Sequence, residues 1–135
     1  MLKWTLIALV GILLFFVLSA TLDHITNVIG WDLWPKIIRS RRAIRRLLRT
    51  SYPDVRVWSL GASRIDPKHF CICIDVKTDV ERDNLMKDKE MEQRMRRLIL
   101  QNGYPPDVVP ILSFSIESKQ TIDRNFGGSS WHARK

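Results

Sequence analysis

The segment Phe-Cys-Ile-Cys-Ile-Asp-Val-Lys, residues 70–77, carries the strongest strand pattern in the chain. Apolar residues occupy every second position from Phe70 to Val76, and the first half of the segment is apolar at the intervening positions as well. Alternation of this kind is typical of a β-strand, and a strand that is apolar on both faces is typical of the centre of a sheet. We therefore predict a central strand over residues 70–77.

The sequence on either side of this strand predicts a mixed set of helices and strands. Thr78 and Glu81 have the spacing of a capping box, which opens a helix directly after the strand. An apolar helical stripe then continues toward Gly103, with a break near residues 84–88. The other predicted elements are strands at residues 55–60, 112–117 and 129–133 and a short helix at residues 118–125. The expected fold class is α+β, a small antiparallel sheet of three to four strands packed with one main helix.

The N-terminal residues predict a membrane anchor. The stretch from Trp4 to Leu22 has no charged residue and as a helix would span roughly 28 Å, close to the thickness of a bilayer's hydrocarbon core. The alternative is a signal peptide cleaved after Ala20, but Leu18 is larger than the residue that cleavage sites prefer there. We expect an uncleaved single transmembrane helix within residues 1–22.

The distribution of positive charge predicts the location of the rest of the chain. Lys3 and the amino terminus lie before the anchor, whereas a cluster of cations follows it. By the positive-inside rule, the protein is expected to be a single-pass protein of the cell membrane with its C-terminal domain in the cytoplasm. The expected segments after the anchor are an interfacial linker at residues 23–35, a basic amphipathic juxtamembrane helix at 36–52 and a small soluble α+β domain at 53–135.

The basic segment accounts for most of the net charge of +8. Seven of the 22 Lys and Arg residues and none of the 14 acids lie between Leu33 and Pro53, so the remainder of the chain is close to neutral. Three roles are open for this segment. It could contact anionic lipid headgroups, or it could pack Ile37, Ile44 and neighbouring leucines on the sheet. The third role is contact with nucleic acid, for which no known motif is present. The residues expected at the membrane surface are Lys36, Arg39, Arg41, Arg42, Arg45, Arg46, Arg49, Trp31 and Trp34.

The residue types that carry catalysis or bind metals do not form a recognisable motif in this sequence. Cys71 and Cys73 point to the same side of the predicted strand, which favours free buried thiols over a disulfide. His24, His69 and His132 have no ligand partners at metal-binding spacing. The sequence therefore predicts no catalytic, cofactor-binding or metal-binding residue, no cofactor, and a protein that is not an enzyme.

These observations favour a membrane-anchored, non-enzymatic module that binds a protein partner or has an accessory or regulatory role, such as an immunity-type protein. The expected partners are the membrane with its anionic lipid headgroups and a protein. One alternative is a small ligand-binding domain or enzyme with a site near Glu117, Asp123 and His132. The other is a protein that binds anionic lipid or nucleic acid through the arginine-rich helix.

Overall fold

Five helices and a three-stranded sheet form the described part of the chain, which in this computed structural model comprises residues 10–22, 32–61, 63 and 65–134. The helices and strands are α1 (residues 10–22), α2 (Leu33–Arg49), β1 (Arg56–Leu60), β2 (Cys71–Val76), α3 (Asp79–Lys87), α4 (Lys89–Gln101), β3 (Ser113–Ser118) and α5 (Lys119–Phe126). Short 3₁₀ turns lie at Pro67–His69, Val109–Ile111 and His132–Arg134. The predicted α+β class is confirmed.

The sheet has the order β1-β2-β3, so the strand predicted to be central is central. β1 runs antiparallel to β2, with Arg56 opposite Asp75. β3 runs parallel to β2, with Ser113 opposite Cys71, so the prediction of an entirely antiparallel sheet is wrong. The reason is that α3 and α4 lead the chain from the end of β2 back to the start of β3, and a parallel pair requires such a crossover.

Three helices, not one, pack against the sheet. The face of β2 that carries Ile72, Ile74 and Val76 joins a single hydrophobic core with side chains from α2, α3 and α4. The helical residues in this core include Ile37, Ile44, Leu48, Leu85, Met95 and Ile99. The prediction of one main helix is wrong because the apolar stripe of α2 is part of the same core. The opposite face of β2 presents Cys71, Cys73 and Asp75.

Local capping chemistry fixes the ends of the helices that follow β2. Thr78 and Glu81 form the predicted capping box at the start of α3. Asp88 separates α3 from α4 and accepts a hydrogen bond from the backbone N–H of Met91 at 2.8 Å, which confirms the predicted break. Ser118 caps α5 in the same way, and Gly127 ends that helix in the left-handed conformation at φ 56°.

The residues after α5 do not form the predicted edge strand at 129–133. Gly127 and Gly128 both have positive φ and turn the chain out of the helix. The following 3₁₀ turn, His132–Arg134, brings the side chain of Arg134 to the sheet face opposite the three helices. Its guanidinium donates a hydrogen bond to the Asp75 carboxylate at 2.6 Å, a long-range contact with no signature in the local sequence.

The predicted transmembrane anchor is wrong. Among the residues that the structure describes, no helix is both long enough and apolar enough to cross a membrane. The single-pass location and the cytoplasmic orientation were derived from that anchor and are corrected with it. Residues 1–9 of the predicted anchor and 23–31 of the predicted linker, including Trp31, lie outside the described residues.

Candidate functional site

The arginines of α2 divide into two groups according to their position around the helix. Leu33, Ile37, Ile44 and Leu48 are buried and define its inner face. At 3.6 residues per turn, four arginines fall within an arc of roughly 80° on the opposite side. We call them the outer arginine row: Arg39, Arg42, Arg46 and Arg49. Arg41 and Arg45 lie one turn apart on the flank between these two faces.

All four side chains of the outer arginine row are exposed. Within the described part of the chain, none of them forms a salt bridge with a carboxylate. Arg46 and Arg49 lie in the last turn of α2, where cations complement the helix dipole. The row is thus a stripe of uncompensated positive charge on a helix whose other side is fixed in the core.

The remaining predicted surface-contact residues have other environments. Lys36 is half-buried and pairs with Asp32 at 3.5 Å, one helical turn away. Trp34 has 54% of its surface exposed at the start of α2. Arg41 is half-buried, in agreement with a side chain whose stem lies along the apolar face. The structure therefore places five of the six predicted arginines on the exposed surface and brings the sixth toward β1.

A concave pocket lies between the flank of α2 and strand β1. Its volume is about 350 Å³, and its lining residues are Arg41, Arg45, Arg56, Val57, Trp58 and Ser130. We call it the flank pocket. Three of these six residues are arginines and none is a carboxylate. The Nε atom of Arg41 is buried and has no hydrogen-bond partner within the described structure.

The wall of the flank pocket is held by a buried ion pair between Arg134 and Asp75, which we call the Asp75 clamp. Their side chains are only 4% and 6% exposed, and the charged atoms lie 2.6 Å apart. Trp58 Nε1 donates to Asp75 at 3.2 Å and Ser130 Oγ donates at 2.9 Å. The Arg134 guanidinium lies 5.1 Å from the Trp58 ring centroid. Because these groups satisfy the Asp75 carboxylate, it does not neutralise the arginines of the pocket.

A second polar cluster lies where β2 and β3 end and α3 and α5 begin. The Asp79 carboxylate accepts hydrogen bonds from Ser118, from Thr121 at 2.8 Å and from Arg124 at 3.2 Å. The Ser118 and Thr121 bonds, and then Arg124, lower the pKa of Asp79 to about 2. Because its acids are paired, this cluster serves as a structural joint that connects the start of α3 to the start of α5.

Arg82 contributes to the same joint from α3. It donates to Glu117 at 3.1 Å and to Thr121 at 3.0 Å. Glu117 raises the pKa of Arg82 through this hydrogen bond, followed by Asp83. Arg82 therefore ties α3 to β3 and to α5 across the ends of the parallel strands.

The structure does not bring together the three residues of the predicted enzyme or ligand site. Glu117 is engaged by Arg82, whereas Asp123 pairs with Lys119 at 3.0 Å on the surface of α5. The backbone N–H of His132 donates to Ser129 Oγ at 3.3 Å in the C-terminal turn. Among these described residues, no hydrogen bond or salt bridge joins Glu117, Asp123 and His132 to one another.

The two cysteines are free thiols on the face of β2 that faces Arg134. Both are free, as predicted, but only Cys73 is buried; Cys71 is half-buried. A hydrogen bond from Cys73 lowers the pKa of Cys71 to about 7, and the Arg134 charge acts in the same direction. The pKa of Cys73 is raised by that bond and by burial. Within the described residues, no three acidic, histidine or cysteine side chains are arranged to hold a metal ion.

Sequence reasoning missed four residues around the flank pocket and the clamp: Arg56, Trp58, Ser130 and Arg134. One signal was present. Asp75 is a charged residue in a strand that is otherwise buried, and such a residue needs a partner. The identity of that partner could not be inferred because Arg134 is 59 positions away in the chain.

Comparison with known proteins finds no matching family profile, no similar curated protein and no similar solved structure. The chain folds as an α+β unit. The arginines of α2 form no salt bridge with the described carboxylates, whereas Lys36 of the same helix pairs with Asp32.

Proposed function

We propose that this protein is a non-enzymatic binding module that docks on an acidic surface of a protein partner through the outer arginine row. The observation that carries the proposal is the row itself: Arg39, Arg42, Arg46 and Arg49 are exposed on one face and unpaired within the described residues. Elsewhere in the chain, arginines such as Arg82 and Arg96 pair with carboxylates.

The row is supported by a rigid base. Ile44 and Leu48, on the opposite side of α2, are completely buried in the core. The helix axis is therefore fixed relative to the sheet, and the four guanidinium groups emerge from fixed backbone positions. Preorganised charges of this kind lose less conformational freedom on binding than charges on a flexible segment.

The choice of arginine over lysine favours a partner with defined geometry. Six of the seven cations of this segment are arginines. A guanidinium group forms two parallel hydrogen bonds with a carboxylate, whereas an ammonium acts as a point charge. An acidic protein surface offers carboxylates at fixed spacings, which such a row can match. Enzymatic chemistry has less support because Glu117 and Asp123 are engaged in separate ion pairs.

Photo-crosslinking tests the proposal in cells with the full chain. A photoreactive amino acid in place of Arg42 is expected to give a discrete crosslinked protein, and one in place of the exposed Arg97 on α4 is expected not to. The same adduct should disappear when Arg39, Arg46 and Arg49 are changed to Gln. Crosslinks to lipid or nucleic acid only, or no difference between positions 42 and 97, would overturn the proposal.

Binding strength is then measured with the purified partner. Replacing all four outer arginines by Gln is expected to weaken binding by about tenfold or more, since four exposed ion pairs contribute about 0.2–1 kcal/mol each. The matched control removes the same charge elsewhere, with Lys68, Lys87, Arg94 and Arg97 changed to Gln. A control that loses as much affinity as the outer-row variant would show that only net charge matters and would contradict docking by the row.

A further inference from the structure

We infer that the flank pocket binds the phosphate group of a phosphate monoester. This goes beyond docking by the outer arginine row, because the pocket uses different arginines on another side of α2 and needs no protein partner. It is defined by Arg41, Arg45 and Arg56 around a concavity of about 350 Å³.

The pocket gathers positive charge from two elements. Arg41 and Arg45 are one turn apart on α2, and Arg56 is the first residue of β1. Like charges at this helical spacing repel one another. No carboxylate lines the pocket to offset that repulsion, and the nearby Asp75 is satisfied by Arg134, Trp58 and Ser130. An anion from solution would supply the missing charge.

Arg41 provides the second observation. Its Nε–H is buried yet has no acceptor within the described structure. Buried donors in folded proteins almost always have a partner, and each exception needs an explanation. Arg41 as a whole is half-buried and lines the pocket, so a small rotation of its side chain would bring this donor to a ligand oxygen there. The ligand oxygen would then be its acceptor.

The number and type of donors favour phosphate over carboxylate. Three guanidinium groups offer more donors than the two oxygens of a carboxylate can accept. A phosphate monoester has three terminal oxygens and about two negative charges at neutral pH, and arginine forks bind it in bidentate geometry. Val57 and Trp58 form an apolar wall beside the arginines, suited to the organic part of the ester.

Arginine-detected NMR on the full chain tests this inference. Titration with inorganic phosphate is expected to shift the Nε–H signal of Arg41 and the indole N–H signal of Trp58 with saturation. Acetate at the same ionic strength should leave both signals nearly unchanged. A shift that does not saturate, or one that acetate reproduces, would overturn the inference.

Two variants and a neighbouring control locate the binding. Arg41→Gln and Arg56→Gln are each expected to weaken phosphate binding at least tenfold. Arg56 is exposed, so its replacement keeps the test valid if the Arg41 variant fails to fold. Arg42→Gln removes the same charge from the outer row and should change phosphate affinity less than twofold. If Arg42→Gln weakens phosphate binding as much as Arg56→Gln, the pocket is not the site, whatever the outcome of the crosslinking experiment.

The source of the phosphate is distinguished with two probes. AMP represents a soluble monoester, and phosphatidylcholine vesicles with phosphatidic acid represent a lipid one, with plain phosphatidylcholine vesicles as the reference. Saturable binding of either probe that Arg56→Gln weakens supports the site and identifies its source. If Arg56→Gln weakens the binding of neither probe, the assignment of the pocket to phosphate monoesters is wrong.

Discussion

The outer arginines of α2 and three arginines of the segment from α3 to the C-terminus have the same side chain but different uses. Arg82, Arg96 and Arg134 each form a salt bridge of 3.1 Å or less with a carboxylate. In the described structure the outer arginine row forms none. The difference teaches that arginine has two uses in this fold: Arg82, Arg96 and Arg134 join elements, whereas the outer arginine row is exposed. Like Arg94 and Arg97 on α4, the row forms no salt bridge within the described residues.

Arg82, Arg96 and Arg134 are also more buried than the outer arginine row. Arg134 is 4% exposed and Arg96 is 16% exposed, and both donate to backbone carbonyls in addition to their carboxylates. Removing such a side chain leaves unsatisfied groups behind, whereas removing an exposed, unpaired one does not. The comparison therefore predicts a large loss of stability when a paired, buried arginine is replaced and a small change when arginines of the outer row are replaced.

Breaking the Asp75 clamp is expected to have the largest effect on stability. Arg134→Ala leaves the buried Asp75 carboxylate without its counter-charge, so the free energy of unfolding should fall by about 3–5 kcal/mol. Urea denaturation followed by circular dichroism measures the loss. Arg124→Ala is the control, because Arg124 is 62% exposed and its pair with Asp79 should contribute less than about 1 kcal/mol. Equal losses in both variants would show that the clamp does not hold the C-terminal turn to the sheet.

Much of the fold was predictable because its signals are local. The alternation over residues 70–77 identified the central strand, and the Thr78 capping box and the Asp88 break defined the following helices. The parallel pairing of β3 was missed because strand direction depends on the path of α3 and α4, not on the pattern of β3 itself. The position of α2 was also ambiguous, since the same apolar stripe suits a membrane surface and a protein core.

The candidate site was predictable in part for the same reason. The outer arginine row follows from helical spacing alone, so every one of its members was expected at a surface. The flank pocket was not foreseen, because Arg56, Trp58 and Ser130 come from separate segments that only the folded chain brings to Arg41. Long-range contacts of this kind leave no periodic trace in a single sequence.

Acid titration tests the pairing of Asp79, with an expected effect of intermediate size. The pKa of Asp79 is held at about 2, below its ordinary value of 3.8, first by Ser118 and Thr121 and then by Arg124. A carboxyl group whose pKa is lower in the folded state contributes its full stabilisation of the fold at pH values above its unfolded-state pKa of 3.8. That contribution is lost as the pH falls through its folded-state pKa of about 2. Denaturation midpoints between pH 5 and pH 2 should therefore fall less steeply for Asp79→Asn than for the native chain. The control is Asp123→Asn, on the exposed surface of α5, whose denaturation midpoint should depend on pH as in the native chain. If the midpoint of Asp79→Asn also shows the native pH dependence, the Asp79 carboxylate does not stabilise the fold in this way.

The smallest change in stability is expected for the variant that lacks all four outer arginines. Changing Arg39, Arg42, Arg46 and Arg49 together to Gln removes six like-charge pairs at helical spacing, three within the row and three with Lys36 or Arg45. Each pair is worth about 0.2–0.5 kcal/mol of repulsion. The fourfold change also removes two cations from the last turn of α2, where each contributes about 0.3–1 kcal/mol. These changes oppose one another, so the free energy of unfolding should fall by no more than about 1 kcal/mol.

The single variant Arg96→Gln should lose more than this fourfold variant. Arg96 gives up a 2.8 Å ion pair with Glu92 and a 2.6 Å hydrogen bond to the Val109 carbonyl, an expected loss of about 1–3 kcal/mol. Both variants are measured by urea denaturation at the same ionic strength. A fourfold variant that unfolds as easily as Arg96→Gln would mean that the outer arginines stabilise the fold. Their exposure would then no longer indicate a surface kept free for a partner.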